Sequence, residues 1–364
     1  MKIRQPFVLA ASFLLLTLQL GCEPVKPVSD VPATTNTGSK LPPGTASNPE
    51  SAAATTDPAG NPVANPGALT KVALLLNWYP EAEHGGFYAA KAHGIFEKHG
   101  LDVDIQPGGK TTVVAQYLTL GRVQFGVANA DDVLMARNQD VPLVALMAPI
   151  QQGPRCILVR KDSGIQSFAD LKNLTLQIDP NRPYVPFLKS KGLLNDSVKL
   201  APYFGSVAQV ASGPGYACQG YTFSEPFTAK QQGVEVNELM MSDIGYNPYA
   251  SLLVTTNDYL KKHDDLCRRM TQASVEGWQK YLEDPKASND LILKANKEHS
   301  LTKETLDYGV EALKPLCLAG NDASSVGKMS RERWVELSDT LVDLKLIDRA
   351  KVNVDASFHG DFLK

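Results

Sequence analysis

The feature that most constrains the fold is a regular alternation of short apolar runs and helical patterns from Lys71 onward. Four of these runs predict the first strands, namely "VALLLN", "LDVDI", "VQFGVA" and "PLVALMAPI". The segments between them carry the spacing of amphipathic helices, such as "GGFYAAKAHGIFEKHG". Strands that alternate with helices are typical of an α/β domain with a largely parallel sheet, and we expect that fold class here.

The same alternation continues through a second set of elements, so we expect two doubly wound lobes. The run "CILVRKD" leads out of the first set, and "ASLLVTT" leads back to it before a series of helical patterns ends the chain. We expect the chain to cross between the lobes near residues 155–162 and 245–252. The first lobe is then residues 71–160 plus 250–364, the second is 161–249, and the two crossings form a two-strand hinge.

The first 22 residues have the pattern of an export signal. Lys2 and Arg4 precede an uncharged run of 14 residues, which is too short to span about 30 Å of hydrocarbon as a helix. The run ends in "LQLGC", which resembles the bacterial lipoprotein cleavage box and implies a lipid on Cys22. The alternative is ordinary signal-peptidase cleavage nearby, with Cys22 uninvolved.

Residues 23–70 predict a disordered tether. The segment has no aromatic residue and is rich in proline, alanine and threonine, so it cannot bury enough apolar surface to offset its ordering entropy. A lipid followed by a flexible tether predicts a folded body outside the cytoplasm, anchored to a membrane in the periplasm or at the cell surface.

Composition and motifs exclude several classes of function. A net charge of -3 without basic runs lacks the electrostatic footprint of nucleic-acid binding. The sequence has no Walker loop, dinucleotide-binding glycine motif or GxSxG elbow, so we expect neither an enzyme nor a bound cofactor. The spacing of His84, His93 and His99 does not suit a shared metal on one helix face, and we expect no metal site.

Four further cysteines follow in the folded region, namely Cys156, Cys218, Cys267 and Cys317. In an exported protein they can form two disulfides, and Cys267 with Cys317 is the favoured pair because both lie among the C-terminal helices. The equally weighted alternative is that all four are small buried apolar residues.

Ligands of open α/β sheets bind beyond the carboxyl ends of the strands, so residues that directly follow strands are the candidates for a binding site. On that rule the candidates are Trp78, Tyr79, His84, Gly108, Gly109, Lys110, Asn129, Asp131, Asp132 and Glu225. Each also has a purely structural explanation: a tryptophan can fill a core, a glycine pair can form a turn, and Glu225 can be an acid favoured by a helix N-terminus.

Three segments carry a family resemblance, namely "LLLNWYPEAEHGGFYAAKAHGIFEKHGLDVDI", "GRVQFGVANADDVLMARNQDVPLVALMAP" and "CQGYTFSEPFTAKQQGVEV". They resemble the periplasmic substrate-binding proteins for thiamine-precursor pyrimidines, sulfonates and nitrate, a family that includes the fungal thiamine-pyrimidine synthase. The resemblance covers residues 71–300. It implies a type II two-lobed binding fold that closes on a small molecule and docks on an ABC permease, and we expect a monomer.

The resemblance also implies which residues hold a pyrimidine. By position these are Trp78, Tyr79, His84 and Tyr88 from the first lobe and Glu225 from the second. Aromatic faces stack on a planar ring, and a carboxylate is a strong acceptor for an exocyclic amine.

Three other functions stay open at this stage. Synthase members use a lysine and a histidine after the third strand, where this chain has Ala128 and Asp132, so enzymatic synthesis is disfavoured. A sulfonate or nitrate could bind at "GGKTT", although the nearby acids would repel it. A lipid-anchored sensor that presents its ligand to a partner would have the same sequence pattern. The sequence leaves the ligand, the membrane leaflet, the permease and the disulfide state undetermined.

Overall fold

The computed structural model describes residues 68–297, 301–318, 320 and 322–364. The predicted signal peptide, Cys22 and nearly all of the predicted tether therefore lie outside the described residues. Within the described ranges, every helix is too short or too polar to cross a membrane.

The described residues form two five-stranded sheets, with strand orders β2-β1-β3-β10-β4 and β7-β6-β8-β5-β9. The strands are β1 (Thr70–Leu75), β2 (Leu101–Gln106), β3 (Phe125–Ala128), β4 (Leu143–Met147), β5 (Arg155–Arg160), β6 (Leu174–Gln177), β7 (Val198–Ala201), β8 (Tyr216–Tyr221), β9 (Val236–Met240) and β10 (Leu252–Thr256). All sheet pairings are parallel except those made by β5 and β10. This arrangement confirms the expected α/β fold class.

The two antiparallel strands are those that follow the crossings between the sheets. β5 pairs with β8 and β9, and β10 pairs with β3 and β4. Residues 155–160, which we assigned to the first lobe, therefore lie in the second sheet, and the first crossing lies between Met147 and Arg155. Only a short polar stretch separates two apolar runs at this point, and hydrophobic periodicity does not reveal which sheet a buried strand joins.

Twelve α-helices connect and cover the sheets in the described part of the chain. They are α1 (Gly85–Ala92), α2 (Ile95–Lys98), α3 (Val114–Thr119), α4 (Ala130–Asn138), α5 (Tyr184–Ser190), α6 (Ala208–Ser212), α7 (Glu225–Gln231), α8 (Asn257–Lys262), α9 (Asp264–Glu283), α10 (Lys286–Ala295), α11 (Lys303–Cys317) and α12 (Arg331–Asp343). The single helix predicted for "GGFYAAKAHGIFEKHG" is two helices, because Gly94 adopts φ +66° between them.

The C-terminal helices pack against the first sheet and supply the two largest core side chains. Trp278 of α9 and Trp334 of α12 are both fully buried. α9 packs along α1, and α12 packs on α4. These helices form a rigid support behind the segment that follows β1.

The glycine pair at the start of α1 permits its close approach to α9. A Cβ atom added to Gly86 would lie 2.1 Å from Cγ of Trp278, and one added to Gly85 would lie 2.0 Å from Cε1 of Tyr281. Both aromatic side chains are fully buried and cannot move aside without disturbing the core.

We expect Gly86→Ala to lower the free energy of unfolding by about 1–3 kcal/mol, because it forces extra volume into a packed core. Urea denaturation followed by circular dichroism measures this change. Gly215→Ala is the matched control, since a Cβ there meets nothing within 4 Å, and its cost is expected to stay within about 0.5 kcal/mol. Equal costs for the two variants would contradict the packing role of Gly86.

All four cysteines of the folded region are free and buried. The favoured Cys267–Cys317 disulfide is therefore absent, and the alternative of small buried apolar residues holds. Burial raises the pKa of the Cys267 thiol to about 12 and raises that of Cys317 as well, so both stay neutral.

Candidate functional site

The segment that follows β1 places an aromatic pair at the end of the first sheet. The rings of Trp78 and Tyr79 are half-buried and meet edge to face, with 5.3 Å between centroids and 75° between planes. A Cβ atom on Gly109 would lie 3.4 Å from Cε1 of Tyr79, so the predicted candidate Gly109 lies against that ring. Trp78, Tyr79 and Gly109 are thus brought together.

His84 occupies a turn directly after this pair and is fully buried. Its Nδ1 accepts a hydrogen bond from the backbone amide of Glu81 at 3.3 Å, so its Nε2 carries the proton and donates to Oδ1 of Asn77 at 3.0 Å. Burial lowers the pKa of His84 to about 3, and the ring is neutral. The imidazole therefore fixes the turn rather than presenting a charge to the cleft.

The same turn carries two carboxyl groups that face a third one from the second lobe. Glu83 is buried and accepts from Oγ of Ser251 at 3.2 Å. Glu225, the first residue of α7, accepts from the amide of Tyr221 at 2.8 Å and from the hydroxyl of Tyr203 at 2.9 Å.

The three carboxyl groups share an environment that favours their protonated forms. Burial, followed by repulsion from Glu83 and Glu225, raises the pKa of Glu81 well above its usual value. Burial raises the pKa of Glu83 to about 7 and raises that of Glu225 as well. Acids from both lobes thus lie close enough to interact, and Glu83, with a pKa of about 7, can either accept or donate a hydrogen bond near neutral pH.

A buried ion pair joins the two lobes beside these acids. Nη1 of Arg155, at the start of β5, lies 3.2 Å from Oδ2 of Asp131 in the first turn of α4. The hydroxyl of Tyr246 donates to the same oxygen at 2.8 Å, and Nε of Arg155 donates to the hydroxyl of Tyr221 at 3.1 Å. Arg155 is 7% exposed and Asp131 is fully buried, so the pair is shielded from water and salt.

Asn129 and Asp132 form the cap of α4 next to this ion pair. Oδ2 of Asp132 accepts from the backbone amide and the side-chain amide of Asn129, both at 3.2 Å, and Oδ1 of Asn129 accepts from the amide of Ser251 at 3.3 Å. Burial, then repulsion from Asp131, raises the pKa of Asp132. Arg182 of the second lobe lies 3.8 Å from the Asp132 carboxylate.

Tyr88 lies apart from the other candidates. It is 4% exposed within the core of the first lobe, and its buried hydroxyl has no hydrogen-bond partner among the residues that the structure describes. Burial alone accounts for the raised pKa of this phenol, with no charged neighbour contributing.

Sequence reasoning missed Arg155, Arg182, Glu81 and Glu83 as site residues. Glu81 and Glu83 lie within "NWYPEAEH", between the predicted site residues Tyr79 and His84. Arg155 had a weaker signal, since it is a single charge directly before the apolar run "CILV". The described residues contain no group of three or more His, Cys, Asp or Glu side chains that could hold a metal ion.

The two sheets and the crossings between them match a class of fold, that of the two-lobed periplasmic binding proteins. The periplasmic aliphatic sulphonate binding protein SsuA from Escherichia coli has the same fold, with a TM-score of 0.59 at 15% sequence identity over 79% of this chain and 91% of that one. This likeness confirms the type II two-lobed fold. A family model described as NMT1/THI5 like matches residues 81–288, more than half of the chain, and the chain belongs to that family.

Two relatives are similar over most of their length. The formylaminopyrimidine-binding protein of Halalkalibacterium halodurans is 25% identical over 79% of this chain and 90% of its own. The riboflavin-binding protein RibY of Chloroflexus aurantiacus is 27% identical over 86% of this chain and 93% of its own. Both relatives are named as binding proteins rather than enzymes.

Proposed function

We propose that the chain is the substrate-binding component of an ABC importer and captures a small planar nitrogen heterocycle between its lobes. The observation that carries this proposal is the cluster of Glu81 and Glu83 facing Glu225 across the lobes, beside the Trp78–Tyr79 pair. Carboxyl groups pair with ring nitrogens and exocyclic amines, and aromatic faces stack on planar rings. The names of the two relatives support a ligand of the pyrimidine type.

The proposal includes the partners and location expected from the sequence. The ligand is a small molecule, the protein partner is a membrane permease, and a lipid on Cys22 anchors the chain in the periplasm or at the cell surface. Support comes from the export signal, the "LQLGC" box and the tether-like composition that follows it. The importer component acts as a monomer.

A sulfonate or nitrate ligand is the main rival, and the glycine pair before α3 argues against it. The helix begins at Val114, so Gly108 and Gly109 do not form its N-terminus. The amide of Gly108 donates to the carbonyl of Trp78 at 3.0 Å, and Nζ of Lys110 donates to the carbonyl of Phe204 at 3.4 Å. The Gly108 amide and one of the three Lys110 donors are therefore already engaged.

Pyrimidine synthesis is also disfavoured. The family's synthases place a lysine and a histidine where this chain has Ala128, a buried residue at the end of β3, and Asp132. Neither side chain supplies the amine or the imidazole that those synthases use. Binding without chemistry is the function that the site supports.

Thermal unfolding of the full chain in detergent, with one candidate ligand at a time, tests the proposal. An aminopyrimidine, riboflavin, taurine and nitrate form the panel. A ligand at a hundredfold excess over its Kd adds about 2.7 kcal/mol and raises the midpoint by several degrees. We expect a shift with a heterocycle and none with taurine or nitrate; a shift with the anions alone would refute the proposal.

Glu225→Gln and Trp78→Ala are each expected to weaken binding of that heterocycle at least tenfold, about 1.4 kcal/mol. The first removes a carboxyl group while keeping the shape of the side chain, and the second removes a ring face. Isothermal titration calorimetry measures both affinities. Glu235→Gln is the matched control, since its carboxylate is exposed and pairs with Lys161 at the surface. Unchanged affinity in both site variants would show that the ligand binds elsewhere.

A further inference from the structure

Arg155 has one nitrogen that the protein leaves without a partner. Its Nε and Nη1 donate to Tyr221 and Asp131, whereas Nη2 is buried and makes no hydrogen bond within the described residues. An arginine does not lose its proton, so burial cannot neutralise this group. A buried donor of a charged group that lacks an acceptor is destabilising, because it has lost its hydrogen bond to water.

The direction of the free nitrogen is fixed by the protein. Two of the three guanidinium nitrogens are held in place, and the planar fork determines where the third one points. The guanidinium carbon also lies 5.3 Å from the ring centre of Tyr184 and 5.8 Å from that of Tyr221. Arg155 is therefore a preorganised donor rather than a mobile charge.

This donor lies between the lobes, among the acids of the candidate site. Of the two partners of Arg155, Asp131 belongs to the first lobe and Tyr221 to the second. Arg155 also interacts electrostatically with Glu83. A molecule held between the lobes can therefore supply the acceptor that Nη2 lacks among the described residues. That position coincides with the site of the proposed heterocycle.

The surrounding charge selects the kind of acceptor. Asp131 and Asp132 lie close to Arg155, and the arginine is already paired with Asp131, so these carboxylates would repel an anionic oxygen on the ligand. A carbonyl oxygen accepts the same hydrogen bond without adding a negative charge. A neutral acceptor thus suits this position better than a carboxylate, a sulfonate or a phosphate.

We propose, on the basis of the proposed function, that Nη2 of Arg155 donates to a carbonyl oxygen of the ligand. The site then selects planar heterocycles that carry both an amino or ring N–H group, which the carboxyl groups of Glu81, Glu83 and Glu225 bind, and a carbonyl group, which Arg155 binds. A heterocycle with the amino group alone leaves the guanidinium unpaired. A site built to hydrogen-bond a particular group discriminates strongly against analogues that lack it.

A matched pair of ligands tests this selection in the unmodified protein. The probes are a formylaminopyrimidine and the same pyrimidine with a free amine in place of the formamide, titrated calorimetrically into the full chain in detergent. We expect the formyl compound to bind at least tenfold more tightly. Equal affinities, or tighter binding of the amine, would overturn the proposal while leaving the heterocycle-binding function intact. Failure of both pyrimidines and of riboflavin would overturn both.

Arg155→Lys provides the second arm of the test. Lysine keeps the positive charge beside Asp131 but lacks the fork that aims Nη2. We expect the preference for the formyl compound to fall below threefold, with a thermal midpoint that still shows a folded chain. If riboflavin is the only compound that binds, its affinity should fall at least tenfold in this variant. A preference or affinity that stays at the wild-type value would mean that water satisfies Nη2, and the proposal would be wrong.

Discussion

Replacing Asp131 with asparagine is expected to lower the free energy of unfolding by about 3–5 kcal/mol. Asp131 is fully buried and accepts from both Arg155 and Tyr246. The variant retains the shape of the side chain but leaves the Arg155 guanidinium as an uncompensated charge in the interior. Breaking a buried pair is costly because the remaining charge has lost both its partner and its water.

Urea denaturation monitored by tryptophan fluorescence measures this loss. Asp265→Asn is the matched control, because Asp265 pairs with Arg269 at 2.8 Å but its side chain is 65% exposed. Exposed pairs contribute about 0–1 kcal/mol, and the control should stay in that range. Similar losses for the two variants would show that burial does not set the strength of the Asp131–Arg155 pair.

The Asp131–Arg155 pair contributes to stability and also joins the two lobes. Asp131 lies on the first lobe, whereas Arg155 begins the strand that enters the second. Lys110 makes another contact between the lobes, because its Nζ donates to the carbonyl of Phe204 in the second lobe. The buried pair adjoins the candidate site, so a ligand that binds Arg155 also binds a contact that joins the lobes.

The order of strands and helices could be predicted from the sequence because periodicity reports burial directly. Which of Asp131 and Asp132 is buried could not be predicted from the sequence. They are adjacent acids in the first turn of one helix, yet Asp131 is fully buried against Arg155 and Asp132 remains partly exposed. Which of the two points inward depends on the docking of α4 against the second lobe, and no local pattern encodes that contact.

Arg155 was missed for a related reason. A charge at the start of an apolar strand normally marks its exposed end, and only the pairing of Arg155 with Tyr221 in the sheet places it between the lobes. His84 shows the opposite case, since the motif suggested a ligand contact and the structure places the ring inside the turn. Both outcomes depend on tertiary contacts rather than on residue type.

The role of His84 leads to a prediction with a defined pH window. The unfolded chain protonates this ring below about 6.5, whereas the folded chain protonates it only near pH 3. Between these values the unfolded state binds more protons, so the contribution of His84 makes stability rise with pH. Compared with His84→Gln, the wild-type free energy of unfolding should gain about 1.4 kcal/mol per pH unit from 3 to 6.5 and then level off.

Glu83 acts with the opposite sign in an overlapping window. Its folded pKa of about 7 lies above the ordinary 4.5, so between these values the folded state binds more protons and stability falls as pH rises. The two effects on the free energy of unfolding offset each other from about pH 4.5 to 6.5. In His84→Gln only the Glu83 effect is left, so stability should fall as pH rises through this range. In Glu83→Gln only the His84 effect is left, so the free energy of unfolding should rise from about pH 3 to 6.5.

Urea denaturation of the wild type and both variants at half-unit steps from pH 3.5 to 7.5 measures the three slopes. The difference between the wild type and His84→Gln isolates the imidazole, because the acids of the site are common to these two proteins. Parallel curves for the wild type and His84→Gln would mean that the imidazole titrates normally and is accessible to water. In that case His84 would not be the neutral group that holds Glu81 and Glu83 toward the cleft, and a direct contact with the ligand would again explain its place in the motif.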